Sequence, residues 1–287
     1  MGTYNVMPVT ALDYRRLAKK RLPRFLFDYI DGGAGEEQSM AANANDFQDI
    51  RLKQRVMRDV DHVNTGTTIC GRSINMPVVL APVGLSGMFR RRGEAQGARA
   101  ASQAGIPFTT STVGICSVEE VQAAVPEPVW FQLYMLRDRG VVQAMLDRAR
   151  ASGSDTLVST VDLAVFGPRY RDVRNGMLGR GRRAALAKAW QLPMSPQCLN
   201  DVGIKGKPHD FGNLRERVGE SESLEAFKHF IDCQVDPTVT WKDIAKVRSQ
   251  WPGKILIKGI MTAEDAVAAV DVGADGIVVS NLSLIHI

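Results

Sequence analysis

The sequence has little that would carry it through a membrane, into an oxidising compartment or onto a nucleic acid. Its longest apolar run, Met76 to Leu85, is too short to span a bilayer and is interrupted by Pro77 and Pro82. Residues Met1 to Arg21 contain no apolar core of the kind a secretory signal needs. The four cysteines, Cys70, Cys116, Cys198 and Cys233, are scattered without a CxxC pair. They read as reduced thiols of a cytoplasmic protein, not as a disulfide framework or a metal site. The net charge of +5 gathers in basic clusters at Arg15 to Arg24, Arg90 to Arg92 and Arg180 to Arg183. No nucleic-acid motif accompanies them, so a solvated basic face is the plain reading, with anionic lipid or an anionic substrate as the alternatives. What the chain does have, 287 residues at 45% hydrophobic and 23% charged, is ample material for one large α/β domain or two small ones.

The most informative stretch is Lys254 to Asn281. Lys254 to Ile260 is a short apolar run carrying Lys258 near its far end, and Thr262 with Asp265 makes a helix cap. Ala266, Val267 and Val270 supply a helical stripe, Gly273 to Gly276 stops the helix, and Ile277 to Asn281 is a second apolar run ending in two polar residues. This is a right-handed βαβ unit of a parallel sheet, in which chemistry sits at the carboxyl ends of the strands.

Upstream, Leu17, Leu22, Phe25, Leu26 and Tyr29 lie at helical spacing, with Pro23 forcing a break. The pair of short helices so defined suits the capping of one end of a barrel. Strands are predicted at Val78–Pro82, Ile106–Thr110, Val129–Tyr134 and Asp155–Thr160, recurring every 20 to 30 residues with helices between them. Together with the two later strands this makes six units of a TIM (β/α)8 barrel, which closes with eight. A Gly-rich insertion at about 161–236 follows the fourth strand and reads as a functional loop.

The strand ends bring together Ala81, Pro82, Val83, Gly84, Ser111, Gln132, Tyr134, Thr160, Lys258, Ser280 and Asn281. This set is rich in neutral hydrogen-bonding groups and has one cation, with no paired carboxylates and no metal cluster. It suits a planar heteroaromatic ligand with carbonyl and imide edges, on which Lys258 would hold negative charge. Read singly, each residue also has a plain role: strand-end Ser and Thr satisfy backbone groups, and a strand-end Lys pairs with a carboxylate.

Several motifs are specific in combination: Ile-Asp-Gly-Gly-Ala (30–34), Leu-Ala-Pro-Val-Gly (80–84), Trp-Phe-Gln-Leu-Tyr (130–134), Ser-Thr-Val-Asp (159–162), Gly-Pro-Arg-Tyr-Arg-Asp (167–172), Ile-Lys-Gly-Ile (257–260) and Gly-Ala-Asp-Gly-Ile-Val-Val-Ser-Asn (273–281). With them the chain resembles the FMN-dependent L-2-hydroxy-acid dehydrogenases and oxidases, most closely the bacterial flavin L-lactate dehydrogenases, from about Thr10 to Asn281. The resemblance implies FMN as cofactor and a flavin-binding TIM barrel. It places Gln132, Thr160 and Lys258 on the isoalloxazine ring, with Lys258 stabilising the reduced ring. Ala81, Pro82, Val83, Gly84, Ser111 and Ser280 are further cofactor contacts. Tyr29 and Tyr134 stand near the substrate, Tyr134 and Lys258 take part in catalysis, and Arg169 pairs with the substrate carboxylate. A planar guanidinium fork suits that last task. The implied reaction oxidises L-lactate to pyruvate and passes electrons to a quinone or another respiratory-chain acceptor. The implied setting is a homo-oligomer, cytoplasmic or peripheral on the cytoplasmic face of the inner membrane, with the basic insertion as the contact. Glycolate or mandelate oxidation, a nucleotide-binding barrel of the inosine-monophosphate dehydrogenase type using Cys116, and a non-catalytic fragment are the alternatives.

The sequence departs from that pattern after Asn281. The family's His-Gly-Gly-Arg, which supplies the catalytic base and a second substrate arginine, is replaced by Leu282 to Ile287, and His286 is out of register. Residues 1–281 then read as a dehydrogenase domain lacking its seventh and eighth units, and 282–287 as a foreign tail. The expectation is that the chain as it stands is inactive.

Overall fold

The structure, a computed structural model, describes residues 7–164, 167–177, 181–215 and 233–282. His286, residues 283–287 of the tail and parts of the insertion lie outside these.

The chain enters through α1 (Ala11–Arg21) and α2 (Arg24–Asp31). Thr10 opens α1 with a capping box: its hydroxyl accepts from the Asp13 N–H at 3.2 Å, and the Asp13 carboxylate accepts from the Thr10 N–H at 3.2 Å. Pro23, which has no N–H to continue a helix, separates the two. Phe25, Leu26 and Phe27 of α2 are buried in a small core with Met177, Cys198 and Val202 from the insertion. Asp31, at the end of α2, accepts from Arg15 (2.8 Å) and from Arg171 (3.0 Å), and Arg171 also pairs with Glu37. These ion pairs fix the leading helices against the segment that follows the fourth predicted strand. Beyond α2 come α3 (Gln38–Asn45) and an antiparallel hairpin of β1 (Thr67–Ile69) and β2 (Arg72–Ile74).

The central sheet is parallel, in the order β3 (Thr109–Ser111), β4 (Trp130–Tyr134), β5 (Thr156–Thr160), β6 (Lys254–Ile260), β7 (Gly276–Val279). Helices α5 (Gly93–Ala104), α6 (Val118–Gln122), α7 (Arg139–Ala151), α10 (Trp241–Gln250) and α11 (Ala263–Asp271) alternate with these strands, while a short α4 (Ser86–Phe89) precedes α5. The insertion contributes α8 (Tyr170–Arg174) and α9 (Arg182–Gln191). The arrangement is an arc of a (β/α) barrel. Because side chains alternate along a strand, each strand serves two layers. Phe131, Leu133, Leu157, Ile255 and Ile257 face the helices and form the main core with Leu146, Ile244 and Trp251. Trp130, Val158 and Leu256 face the other way and pack with Ile69 and Cys70 of the hairpin.

Two sequence expectations are corrected here. Val78–Pro82 does not form a full strand: it joins the sheet at one parallel bridge, Leu80 to Phe108, with Leu80 N–H donating to Pro107 O and Leu80 O accepting from Thr109. The prolines at 77 and 82 have no N–H to extend the ladder. The helical stripe of α11 is also turned. Ala269 is fully buried and Ala266 packs on the core, whereas Val267 and Val270 are 61% and 68% exposed. Alanine lets the helix approach β6 and β7 closely, and the valines are left outside.

Candidate active site

Two residues beyond each apolar residue of the inner layer, the same strand face presents a polar one. Trp130 is followed by Gln132, Val158 by Thr160, Leu256 by Lys258 and Val278 by Ser280. The register aligns Ser111 with Gln132, and Tyr134 with Thr160 and Lys258. A continuous polar row results at the carboxyl ends of the strands. Gln132 is buried and central to it: its Oε1 accepts from the Ser111 hydroxyl (3.1 Å) and its Nε2 donates to the Thr160 hydroxyl (2.9 Å). Lys258 Nζ donates to the Ser280 hydroxyl at 3.3 Å and lies 3.7 Å from Asp162 Oδ2. Gly259 makes the last contact possible. Its φ of +113° sits at an irregularity in the β6–β7 pairing, and a Cβ there would meet Asp162 Cβ at 2.5 Å. The plain role of a strand-end lysine, pairing with a carboxylate, is therefore filled by Asp162.

Beside this row is a cavity of about 250 Å³ whose lining includes Tyr29, Tyr134, Thr160, Asp162, Arg169 and Lys258. Its apolar walls come from Leu85, Val113, Met135 and Leu136, and its far side from Val235, Pro237 and Val239 at the end of the insertion. Arg169 lies with its guanidinium carbon 4.7 Å from the Tyr29 ring centroid, donates to the Tyr29 carbonyl and pairs with the fully buried Asp172. Tyr29 in turn stacks on Phe89 at 6.3 Å. Burial raises the Tyr29 hydroxyl pKa against the opposing charge of Arg169. The Tyr134 hydroxyl pKa is raised as well, again through burial, with Tyr29 and Asp162 adding to it. Both phenols are neutral hydrogen-bonding groups at physiological pH. Asp172 is raised above the usual carboxylate range by burial, with Arg169 only partly offsetting it.

Of the residues singled out from sequence, Tyr29, Tyr134, Thr160, Arg169 and Lys258 line the cavity, while Ser111, Gln132 and Ser280 are joined to that group by hydrogen bonds. Gly84 packs on the next loop, where a Cβ would meet Val113 Cγ2 at 2.8 Å, and Ala81 to Val83 form a partly exposed rim. Asn281 turns elsewhere: its amide exchanges two hydrogen bonds with Asn43 of α3, at 2.8 and 2.6 Å. Cys116 is fully buried, and burial together with the Glu94 charge pushes its thiol up to about 12, so it is no nucleophile. Sequence reasoning passed over Asp162 and Asp172, although both stand inside motifs it used, because a carboxylate's partner is set by the fold. Among the described residues no histidine lines the cavity; the ring of His209 is hydrogen-bonded to Val202 O and His62 is exposed.

A profile of the FMN-dependent dehydrogenases matches residues 18–283. The chain belongs to that family, and its cofactor is FMN. An L-lactate dehydrogenase of Caulobacter sp. (strain K31) is 50% identical over 269 residues, covering 94% of this chain and 70% of the relative. One from Vibrio parahaemolyticus is 49% identical over the same shares. Among solved structures, the monotopic membrane protein (S)-mandelate dehydrogenase superposes with a TM-score of 0.84 at 34% identity, covering 94% of this chain and 71% of that one. A mandelate oxidase with (S)-4-hydroxymandelic acid gives 0.79 at 32%, with 96% and 71% covered. The donor set at the strand ends fits a flavin: buried amide and hydroxyl groups for the ring's polar edge, and one ammonium for the charge it gains.

Proposed function

We propose that the chain serves the oxidation of L-lactate to pyruvate, with electrons passed on to a quinone or similar acceptor. The observation that carries this reading is the polar row Gln132–Thr160–Lys258–Ser280 opening onto a cavity that also holds Tyr29, Tyr134 and Arg169. FMN, when bound, takes up the two electrons that leave the substrate's α-carbon. Gln132, Thr160, Ser111 and Ser280 hold the ring's polar edge, with the backbone of Ala81 to Gly84 alongside. Lys258 sets positive charge where electron density accumulates. Arg169 pairs with the substrate carboxylate, its orientation fixed by Asp172 and the Tyr29 carbonyl, and the two neutral phenols hydrogen-bond the substrate. The 50% identity to L-lactate dehydrogenases, against 34% or less to mandelate enzymes, favours lactate. The α-hydroxyl proton needs an acceptor, and no histidine of the described residues stands at the cavity. The test therefore compares the chain itself with a chimera in which residues after Asn281 come from the Caulobacter relative. The chimera should bind FMN and bleach with L-lactate but not D-lactate, and the chain alone should turn over far more slowly. A chimera that holds FMN yet stays yellow with L-lactate would remove the proposal.

A second reading concerns location. Among the described residues no helix is long and apolar enough to cross a membrane. Yet α9 exposes Leu186 (69%) and Trp190 (75%), and Met194 (71%) follows at the same four-residue spacing, beside Arg182, Arg183 and Lys188. Apolar side chains framed by cations suit the surface of an anionic bilayer on the cytoplasmic side. Co-sedimentation with phosphatidylglycerol vesicles should fall several-fold in the double variant Leu186→Ser, Trp190→Ser, and unchanged co-sedimentation would exclude α9 as the contact.

A further inference from the structure

One buried carboxylate near the cofactor site has no part in the chemistry above. Glu94, the second residue of α5, is 1% exposed. Its Oε1 accepts two backbone N–H groups from different β/α units: Gly87 at 3.1 Å and Ile115 at 2.9 Å. Its Oε2 is buried without a hydrogen-bond partner. No basic side chain is hydrogen-bonded or ion-paired to it among the described residues; the pair of amides, the neighbouring Cys116 thiol and its place in the first turn of α5 hold the carboxylate.

The two segments it joins carry the flavin contacts. Residues 81–87 contain Ala81 to Gly84, and residues 111–115 contain Ser111. Between them Leu85 N–H donates to Val113 O at 3.0 Å, and the packing leaves no room for a methyl group. A Cβ on Gly87 would meet Ile115 Cβ at 2.5 Å. The separation of the loops is thus set by a backbone bond, by glycine contacts and by one oxygen shared between two amides. A loop pair that must meet the same planar ring from two strands gains from such a tie, because misplacement of either edge loses hydrogen bonds to the ring.

We propose that Glu94 is a positioning residue of the FMN site: it staples the loop after the first β/α strand position to the loop after β3 and so fixes the edge on which the ring binds. The inference rests on assigning Ala81 to Gly84 and Ser111 to the cofactor. Without the carboxylate, the Gly87 and Ile115 amides lose a buried acceptor and the loops separate more readily.

The test uses the chain itself, by amide exchange and by FMN titration followed through flavin fluorescence. Glu94→Ala should speed exchange at Gly87 and Ile115 about tenfold or more relative to Leu133 and Leu157, and should raise the FMN Kd about tenfold. Glu94→Gln keeps an acceptor oxygen for both amides and should stay within about threefold of wild type in both readouts. Ala98→Gly, in the same helix at 1% exposure, controls for lost stability: it should lower Tm and leave the FMN Kd within about twofold. Unchanged exchange at Gly87 and Ile115 in Glu94→Ala would overturn the staple. An FMN Kd that rises equally in Ala98→Gly, or that Glu94→Gln fails to rescue, would overturn its positioning role. The FMN titrations are run in the chimera as well, and a wild-type chimera that binds no FMN would instead remove the assignment of these loops to the cofactor, whatever the exchange shows.

Discussion

Replacing Lys258 by methionine should separate what this side chain does for the fold from what it does for the flavin. The ammonium and Asp162 Oδ2 are 3.7 Å apart, with their side chains 11% and 9% exposed. At an effective dielectric constant of about 20, unit charges at that distance attract by roughly 4–5 kcal/mol. Desolvation offsets much of that gain in the pair, but removing one partner strands the other, which typically costs about 3–5 kcal/mol. Lys258→Met alone should therefore destabilise by about that amount. Asp162→Asn in the same chain removes the stranded charge and should recover all but about 1 kcal/mol. The flavin tells a different story. If Lys258 stabilises the charge that the reduced ring carries, losing it should cost about 2.7–4 kcal/mol there, as removal of one preorganised donor does elsewhere. For a two-electron couple that is a fall of about 60–90 mV in the midpoint potential of bound FMN. Asp162→Asn has no means of restoring it. Denaturant unfolding and dithionite titration of the chimera give the two quantities. Recovery of both in the double variant would show that Lys258 acts only as the partner of Asp162. An unchanged potential in Lys258→Met would remove it from the ring altogether.

Arg169→Lys in the chimera should raise KM for L-lactate and lower kcat/KM about tenfold or more, since an ammonium cannot reproduce the bidentate fork held between Asp172 and the Tyr29 carbonyl; unchanged steady-state kinetics would take Arg169 out of the site. The Asp31 carboxylate is held below its usual range first by the hydrogen bond from Arg15, with burial opposing and Arg171 assisting. A depressed carboxylate contributes stability above its unfolded pKa of about 3.9 and loses it as pH falls through the lower folded value. Asp31→Asn should therefore cost about 1–2 kcal/mol at pH 7, with Arg15 partly exposed and screened, and the gap to wild type should close below about pH 4 in urea titrations. Phe131→Ala, at a fully buried core position, should cost about 3–5 kcal/mol and lower Tm without touching the inward face of β4.

How much of this was legible in the sequence follows from the period of a strand. In Trp130-Phe-Gln-Leu-Tyr134 the odd and even positions go to different layers, and the polar residue inside an apolar run marks the face that leaves the core. Gln132 interrupts such a run between buried Phe131 and Leu133, while Thr160 and Lys258 stand toward the carboxyl ends of theirs, and the three could be picked out on those grounds. The edges of the pattern were harder. Val78–Pro82 has the composition of a strand, but its register depends on donors that proline lacks. In α11 the stripe of larger residues pointed the wrong way, because periodicity identifies a face and not its size, and here the alanine face fits the sheet. Charged partners were the least legible. Asp162 meets Lys258 across neighbouring strands only because Gly259 gives up its side chain, and Glu94 binds two amides from loops that no spacing rule connects to it. An isolated carboxylate in a sequence is ordinarily solvent-facing, so nothing local distinguishes these from the surface acids around them. What distinguishes them is burial, and burial is a property of the assembled sheet. The polar strand-end residues proposed to hold the cofactor can thus be read one strand at a time, whereas the buried carboxylates packed around them can be read only after the strands are paired.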